Sequence, residues 1–497
     1  MIRRLGGVAV IGGALPWMVA PAFAHGGGRA FVLLMPTGYY LAGGTLAVAA
    51  TFLLLAVIPR GLSDRLGCAR LPLLALKPPS PVATSLLSAL LLGFLLATGL
   101  YGSRDPLANP LPLTIWTLWW VGFTLATAML GDLWAYVNPW TGPYRLAMWL
   151  GSKLSEASTA APPPHNAEGG SVGTLHKPPL CYPSWLGYWP AIVLFLGFAW
   201  FELIDVAPDD PERLAVAVAA YWLFTFIAVL LFGEEAWLGR AEPFSLFFRL
   251  IGGLAPLVWT PDPDDGSRQR LALALPGSAL SERCAALPPS GVLFILLTLS
   301  SVTFDGLSKT FWWLGLNGIN PLEFPGRSGV LGLNTLGLLL TWEALAVLYT
   351  GAVLAGWWLA GRPGSPRALL GTLVLSIMPI SLGFHFSHYL TALFVNGQYA
   401  WLAAADPFGL SQGVLAMGAS EVTTSFLNTY EGTRAIWNAQ TAGIVTGHVL
   451  AVLLAHELVR RVIGDEQAAV LSQLPLAAVM VGYTWLGLWL LSTPVAG

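Results

Sequence analysis

The chain alternates between long apolar stretches and short segments rich in charge, proline and glycine. Ten apolar stretches follow residue 30, and most are long enough to cross the hydrocarbon core of a bilayer as a helix. The predicted spanning helices cover residues 31–58, 82–101, 113–131, 186–204, 214–232, 291–304, 330–360, 367–395, 440–458 and 472–492. The run at 291–304 is short, so we expect it to extend backward or to tilt.

Composition agrees with this pattern. Hydrophobic residues make up 55% of the 497 residues and charged residues only 10%. The sequence therefore predicts an all-α, polytopic integral membrane protein whose first partner is the lipid bilayer. The net charge of -2, without a basic stripe interleaved with aromatic residues, argues against a nucleic-acid partner. A partner subunit or a homo-oligomer is left open.

The first 24 residues have the pattern of a cleaved secretory signal peptide. Arg3 and Arg4 precede an apolar run, and residues 22–24 read Ala-Phe-Ala, an A-x-A cleavage pattern. Cleavage there would make His25 the new N-terminus, where its amine and imidazole could chelate a metal such as copper. The alternative is that His25 merely follows the cut and binds nothing.

Residues 25–497 are predicted to form a single membrane domain. In chain order it comprises the first helices (25–153), a flexible cytoplasmic linker (154–185), repeat-related helices with an interfacial segment (186–290) and the helices that carry the candidate site (291–497). The linker prediction rests on its Ala, Pro, Gly and Ser content. The long outer segment 396–440 exceeds an ordinary connector and predicts a partly helical lid or a re-entrant element.

Two segments of the chain repeat one order of features. Gly131-Asp132, Trp134, Asn138-Pro139-Trp140 and Arg145-Leu146 correspond to Gly233-Glu234, Trp237, Glu242-Pro243-Phe244 and Arg249-Leu250. Because each segment follows a helix that runs in the same direction, the pattern indicates a parallel internal repeat of a two-helix unit. We interpret Asp132 and Glu234 as structural rather than catalytic.

The distribution of basic residues predicts an orientation. If the mature N-terminus lies outside, sixteen Lys and Arg fall in the inner loops and six in the outer segments. This asymmetry follows the positive-inside pattern and predicts a bacterial inner-membrane protein with a periplasmic N-terminus. The same topology places Cys68, Cys181 and Cys284 in the cytoplasm, so no disulfide is expected.

Histidines inside the predicted helices mark a candidate site. His385 and His388 are spaced i, i+3, which places both imidazoles on one face of a helix. His448 lies at a similar predicted depth in the next helix, and Glu343 lies deeper. Ionisable groups at membrane depth are costly and mark functional sites by default. The sequence therefore predicts that these side chains converge in the outer half of the bilayer.

Three imidazoles and a carboxylate suit a divalent transition metal, zinc or copper, and His25 would be a further ligand. Glu343, Asp305 and Tyr389 are the candidate catalytic or substrate-contacting residues of such a site. A metal could activate water for ester hydrolysis. A metal-free proton or substrate path, and histidines that only bond neighbouring helices, remain open, as does haem between the helices.

Four stretches resemble a bacterial family of polytopic membrane proteins, some labelled fenitrothion hydrolase, an organophosphorus triester hydrolase. The stretches are Ala-Phe-Ala followed by His25-Gly26, GDLWAYVNPW at 131–140, TFDG at 303–306 and HFSHYL at 385–390. The resemblance spans most of the chain. It implies hydrolysis of a P–O–aryl bond but supplies no established catalytic motif.

Two functions are therefore expected. The first is a membrane-embedded, metal-dependent hydrolase of organophosphate-type esters with an outward-facing site. The alternative is a membrane transporter or a metal-handling protein that uses the same histidines as an ion or proton path. The parallel repeat favours transport, whereas the family resemblance favours hydrolysis.

Overall fold

The structure is a computed structural model that describes residues 35–55, 69–158, 178–265, 267–283, 285–410 and 422–496. The predicted signal peptide, His25, Cys68 and Cys284 lie outside the described residues. Within the described part, nine apolar helices are long enough to cross a membrane. The prediction of an all-α, multi-pass membrane protein is confirmed.

The bounds of the elements follow. The helices are α1 (Thr37–Leu55), α2 (Pro81–Tyr101), α3 (Pro110–Leu130), α4 (Trp134–Val137), α5 (Thr141–Ser158), α6 (Trp189–Leu203), α7 (Pro211–Phe232), α8 (Glu234–Arg240), α9 (Pro243–Gly252), α10 (Ser278–Arg283), α11 (Pro289–Ser308), α12 (Phe311–Leu316), α13 (Arg327–Leu359), α14 (Pro366–Ala405), α15 (Tyr430–Val462) and α16 (Glu466–Ser492). The strands are β1 (Arg70–Leu76), β2 (Leu257–Pro261) and β3 (Gln269–Ala274).

Each of the ten predicted spans falls on a helix, but the bounds differ. The run predicted at 291–304 extends in both directions as α11. The run predicted at 186–204 is α6, whose 15 residues reach about 22 Å, less than a full hydrocarbon core. Residues 396–405 and 430–440 of the long outer segment belong to α14 and α15, so both of its ends continue spanning helices. Residues 411–421 lie outside the described residues, and the lid or re-entrant element stays a prediction.

The helices α11 and α14 form the centre of the bundle. In an apolar stretch of 18 residues within each of these helices, 83% of the residues are buried, compared with 22% in the corresponding stretches of α1 and α2. A helix that is apolar and buried on all sides packs against protein rather than lipid. Polar side chains on α11 and α14 are therefore enclosed by other helices, and this is where the candidate site lies.

The helices α14 and α15 cross with their backbones in direct contact. A Cβ added to Gly447 would lie 2.6 Å from the Pro379 carbonyl oxygen and 3.2 Å from the Gly383 Cα. Small residues allow such close approach between membrane helices. Ser387 Oγ donates to the Gln440 carbonyl at 2.6 Å, and Gln440 Nε2 donates to the Ser387 carbonyl at 2.8 Å. These reciprocal bonds fix the register of the two helices.

The predicted repeat corresponds to two similar runs of elements. The helices α3 and α7 both end at a glycine with positive φ, and each is followed by a short helix and an amphipathic one. The two runs contact each other, since Trp140 Nε1 donates to the Trp222 carbonyl and Trp222 Nε1 donates to the Pro139 carbonyl. Glu234 accepts hydrogen bonds from Thr141 and Arg145. These contacts give Glu234 a structural role.

A small antiparallel sheet was not predicted. Its strand order is β1-β3-β2. In β3, Ala274 pairs with Arg70 of β1, and the preceding residue Leu273 pairs with Leu257 of β2. The sequence signal was weak because β1 is Leu-rich and lies beside a spanning helix, where it resembles one more apolar run.

Candidate functional site

Asp305 is the centre of a polar cluster near one end of the bundle. Its Oδ2 lies 2.7 Å from His388 Nε2 and accepts a hydrogen bond from the Tyr389 hydroxyl at 3.0 Å. Lys309 Nζ lies 3.5 Å from the other carboxylate oxygen. Asp305 is in the last turn of α11, where the partial negative charge of the helix end disfavours a carboxylate. The imidazole and the ammonium offset this cost.

A local irregularity in α14 precedes the residues that reach Asp305. The turn Val374–Ile377 is a 3-10 helix, and Pro379 follows it. Proline lacks an N–H and its ring would clash with the carbonyl four residues earlier in a regular helix, so a tighter turn forms here. Beyond it, regular α-helix brings His385 and His388 onto neighbouring positions, as their i, i+3 spacing predicted.

Tyr389 connects two carboxyl groups from different helices. Its hydroxyl lies 2.9 Å from Glu202 Oε1 on α6 as well as 3.0 Å from Asp305 Oδ2 on α11. The end of α6 is held by Arg327, whose Nη1 donates to the carbonyls of Glu202 and Asp205 at 3.0 and 3.1 Å. A basic group at a helix C-terminus satisfies carbonyls that have no partner within the helix. Glu202 is thereby fixed opposite Tyr389.

His385 is held by a π-helical stretch of α3. Residues Leu113–Phe123 form this π-helix, a rare geometry that is frequent at functional sites. His385 Nε2 lies 2.9 Å from the Trp120 carbonyl oxygen, which also accepts from Thr124 Oγ1 at 2.6 Å. Because a carbonyl only accepts, Nε2 of His385 carries the proton in this contact. The His385 ring packs on Tyr389 with centroids 4.9 Å apart.

A small cavity of about 10 Å³ is lined by Glu202, Tyr389 and His385, whereas Asp305 and Lys309 do not line it. This volume suits about one water molecule. Its polar lining consists mainly of hydroxyls from three helices, namely Thr124, Thr298, Ser301 and Ser381. Each hydroxyl donates to a carbonyl of its own helix, so its oxygen can accept a hydrogen bond from water.

The structure brings four of the predicted residues together and leaves two apart. Asp305, His388 and Tyr389 are in direct contact, and His385 stacks beside them. Glu343 lies on the exposed face of α13. His448 instead packs between the rings of Phe384 and Tyr483, with centroids 6.1 and 6.3 Å away, and its Nδ1 bonds the Ile444 carbonyl. His25 lies outside the described residues.

Sequence reasoning did not assign Glu202 or Lys309 to the site. The sequence does contain a signal that Glu202 belongs to a functional site, because Glu202 is an acid inside the apolar run 186–204. Lys309 follows Asp305 by four residues, the spacing at which opposite charges meet on one helix face.

The described residues contain no group of three or more His, Cys, Asp or Glu side chains that could hold a metal ion. One ring nitrogen of each histidine has a protein partner, namely His388 Nε2 with Asp305, His385 Nε2 with Trp120 and His448 Nδ1 with Ile444, and the second nitrogen of each ring is left for another ligand. The described residues do not, however, group the four ligands of the tetrahedral site that zinc prefers. The zinc or copper site therefore stays a prediction without support from the ligand geometry.

Comparison with family models, with curated proteins and with solved structures finds no match. Because a fold alone does not imply a function, the function has to be inferred from the side chains of the site. The chemical content of that site is two carboxyl groups joined by one phenol, with an imidazole and an ammonium at one end and a hydroxyl-lined cavity at the other.

Proposed function

We propose that the protein is a proton-coupled membrane transporter for a small molecule or an ion, with a proton path through Glu202, Tyr389 and Asp305. The observation that carries the proposal is the contact of one phenol hydroxyl with carboxyl groups on two different helices. Chains of acids and histidines inside membrane helices typically serve as proton relays. This is the transport alternative predicted from the sequence, without the metal.

The hydrogen-bond inventory supports a mobile proton at this contact. A phenol carries one proton and can donate it to only one of two carboxylates. The second carboxyl group must then carry a proton of its own, which it donates to the phenol oxygen. Asp305 faces His388 and Lys309, which stabilise its charge, so the extra proton is assigned to Glu202. After Glu202 has released its proton, a proton on Asp305 could pass to the Tyr389 oxygen while the phenol proton passes to Glu202, and rotation of the hydroxyl would then restore the starting arrangement.

Exposure at one end of the cluster and a water-sized cavity at the other also support the path. At one end the His388 side chain is 30% exposed and the Lys309 side chain 48% exposed. At the other end Glu202 lines the small hydroxyl-lined cavity, which is also bounded by Phe247 and Ile251 of α9. A proton could therefore enter at His388, reach Glu202 through Asp305 and Tyr389, and leave by way of water held among the hydroxyls.

The positive-inside pattern gives this path a direction. With the mature N-terminus outside, α11 runs from the cytoplasm outward, so Lys309 and His388 face the periplasm of a bacterial inner membrane. The cavity beside Glu202 then lies on the cytoplasmic side. In this orientation the inward proton gradient would drive protons from His388 to Glu202 and onward.

The test is proton movement in proteoliposomes. Protein is reconstituted with a pH-sensitive dye inside, and a panel of organic cations, organic anions and metal ions is supplied outside. We expect at least one solute to move protons across the membrane in wild-type vesicles, and we expect Glu202→Gln and Tyr389→Phe to abolish the movement. Gln keeps the shape of the carboxyl group but cannot release a proton.

Matched controls use residues on the exposed surface. Glu431→Gln and Tyr101→Phe make the same chemical changes at exposed positions of α15 and α2, and both should retain wild-type flux. If no solute moves protons in wild-type vesicles, or if Glu202→Gln transports as well as wild type, the proton path is wrong.

Hydrolysis of an ester is the second candidate, and one observation favours it. His388 has one ring nitrogen on the Asp305 carboxylate at 2.7 Å, and its side chain is 30% exposed. A carboxylate that orients an exposed imidazole is the arrangement of a general base that could activate water. Wild-type turnover of an aryl phosphotriester that is lost in His388→Gln but kept in Glu202→Gln would favour this function over transport.

A further inference from the structure

The small antiparallel sheet has one apolar face that is exposed. Residues directly opposite each other in such a sheet project to the same side. Leu71 is opposite Leu273, and Leu74 is opposite Leu271. The register shifts just before Leu74, so Leu71 and Leu74 share one side although they are three residues apart. The exposed leucines of this side form the leucine face, which consists of Leu71 (61% exposed), Leu76 (49%), Leu74 (46%) and Leu273 (44%).

The other side of the sheet is covered by protein. Val258, Ala272 and Ala274 project to that side and are buried. Val258 and Ala274 pack with Ala279 of α10 in a small apolar cluster. The leucine face is therefore the side that the described residues leave open. A leucine-rich strand at the edge of a sheet promotes aggregation when it is exposed to water, so this face requires an apolar environment.

A hydrogen bond shows which way the leucine face is directed. Trp259 of β2 is opposite Leu271, so its side chain is on the side of the leucine face. Trp259 Nε1 donates to the carbonyl of Leu130, the last residue of α3, at 3.0 Å. Met129 and Leu130 are 57% and 44% exposed at this end of a spanning helix, where lipid surrounds the protein. The side that carries the leucine face is thus directed toward the membrane end of α3.

The chain connection gives the same position independently. β1 ends at Leu76 and the spanning helix α2 begins at Pro81. Five extended residues reach at most about 17 Å, so the end of β1 lies close to the membrane surface. Lys77 follows β1 and is exposed, and basic residues next to spanning segments lie at the level of the lipid headgroups. The leucine face therefore adjoins the lipid-facing surface of the bundle.

We propose that the leucine face rests on the bilayer, with its side chains at the boundary between headgroups and acyl chains of the leaflet where α2 begins. β1 is an edge strand, and unpaired backbone groups cannot enter the hydrocarbon core. Its backbone therefore stays among the hydrated headgroups, and only the leucine side chains reach inward. This membrane anchor is independent of the proposed proton path, since the sheet contains none of the residues of the polar cluster.

The experiment is spin labelling of the full-length protein in phosphatidylcholine vesicles. The native cysteines are replaced by serine, and a nitroxide is attached to Leu74→Cys. Oxygen concentrates among acyl chains, whereas a nickel chelate stays in water, so the ratio of their collision rates reports immersion. We expect oxygen to exceed the chelate at least threefold at Leu74→Cys. The control is Asp264→Cys in the turn between β2 and β3, where the side chain is 84% exposed and the chelate should dominate.

A second label keeps the test independent of one variant. Leu273→Cys lies on β3 within the leucine face and should show the same excess of oxygen over the chelate. A label that the chelate reaches more readily than oxygen would place the leucine face in water and overturn the proposal. A label that neither reagent reaches would show that protein covers this face, either another segment of the chain or a second copy, and would overturn it equally.

Hydrogen exchange measures what the leucines contribute. In vesicles, the double variant Leu71→Ser with Leu74→Ser should exchange the amides of β1 severalfold faster than wild type, because serine does not hold the strand at the lipid boundary. Leu322→Ser changes a leucine that is 82% exposed outside the sheet and should leave exchange in β1 unchanged. Equal exchange in β1 of the double variant and wild type would contradict the anchoring.

Discussion

The Tyr389 hydroxyl lies 2.9 Å from Glu202 Oε1, and this contact ties the end of α6 to α14. The same oxygen lies 3.0 Å from Asp305 Oδ2 on α11. Three helices that are distant in sequence therefore meet at one phenol. Any change in the protonation of either acid has to be accommodated by this hydroxyl.

Infrared spectroscopy can detect the proton assigned to Glu202. We expect the protein at neutral pH to show the C=O absorption of a protonated carboxyl group in a buried site. The band should disappear in Glu202→Gln and shift in Tyr389→Phe, because the latter removes its hydrogen-bond partner. Tyr101→Phe should leave the band in place. A band that persists in Glu202→Gln would assign the proton to another group.

Asp305 should contribute to stability as well as to the proposed path. Asp305→Ala leaves the imidazole of His388 and the hydroxyl of Tyr389 without their acceptor, at a cost of about 1–3 kcal/mol. Asp305→Asn retains an acceptor oxygen and should cost less. The measurement is the apparent unfolding temperature in detergent. Glu323→Ala, at an exposed position, is the control and should change stability little.

Because α14 and α15 are in close contact at Gly447, we expect that no larger residue can replace this glycine without loss of stability. A Cβ at Gly447 would lie 2.6 Å from the Pro379 carbonyl oxygen, so Gly447→Val forces the helices apart and should cost about 1–3 kcal/mol or more. Gly482→Val introduces the same side chain into α16, where nothing lies within 4 Å. Unfolding temperatures of the two variants should differ clearly. Equal temperatures would contradict the observed crossing.

The pH dependence of stability should include a contribution from Glu242, which precedes α9 outside the long spanning helices. Burial raises the pKa of Glu242 above its ordinary value of 4.5, although hydrogen bonds from Ser245, Tyr221 and Phe244 act in the opposite direction. The folded state therefore binds this proton more tightly than the unfolded state does. Stability should fall as pH rises from 4.5 through the raised pKa.

This contribution can be separated from others by substitution. Glu242→Gln removes the titration and should make unfolding temperature less dependent on pH above 4.5, with the variant gaining relative to wild type as pH rises. Glu431→Gln, at an exposed position, should keep the wild-type profile. A Glu242→Gln profile that falls as steeply as that of wild type would contradict the assignment.

Part of the site could be predicted from the sequence. His385 and His388 stand out because an ionisable group inside an apolar run is costly, and their i, i+3 spacing predicts that they share one helix face. Asp305 was expected only as a contacting residue of such a site, and the structure places it 2.7 Å from His388, with His385 stacked on Tyr389 beside them. His448, which was predicted to converge with them, instead packs between Phe384 and Tyr483. Its predicted depth in the membrane was no guide here, because depth does not determine which neighbouring helix a side chain faces.

The sequence by itself determined the class of fold and the positions of the spanning helices, because a bilayer requires long apolar stretches with internally bonded backbones. Only the tertiary structure decided how each helix is rotated. Lipid and protein interior are both apolar, so hydropathy does not distinguish the face of α13 that exposes Glu343 from the faces of α6 and α14 that join Glu202 to Tyr389. Close approach at Gly383 and Gly447 fixes which face of α14 meets α15, and this leaves another face of α14 to carry Tyr389 toward Glu202 and Asp305.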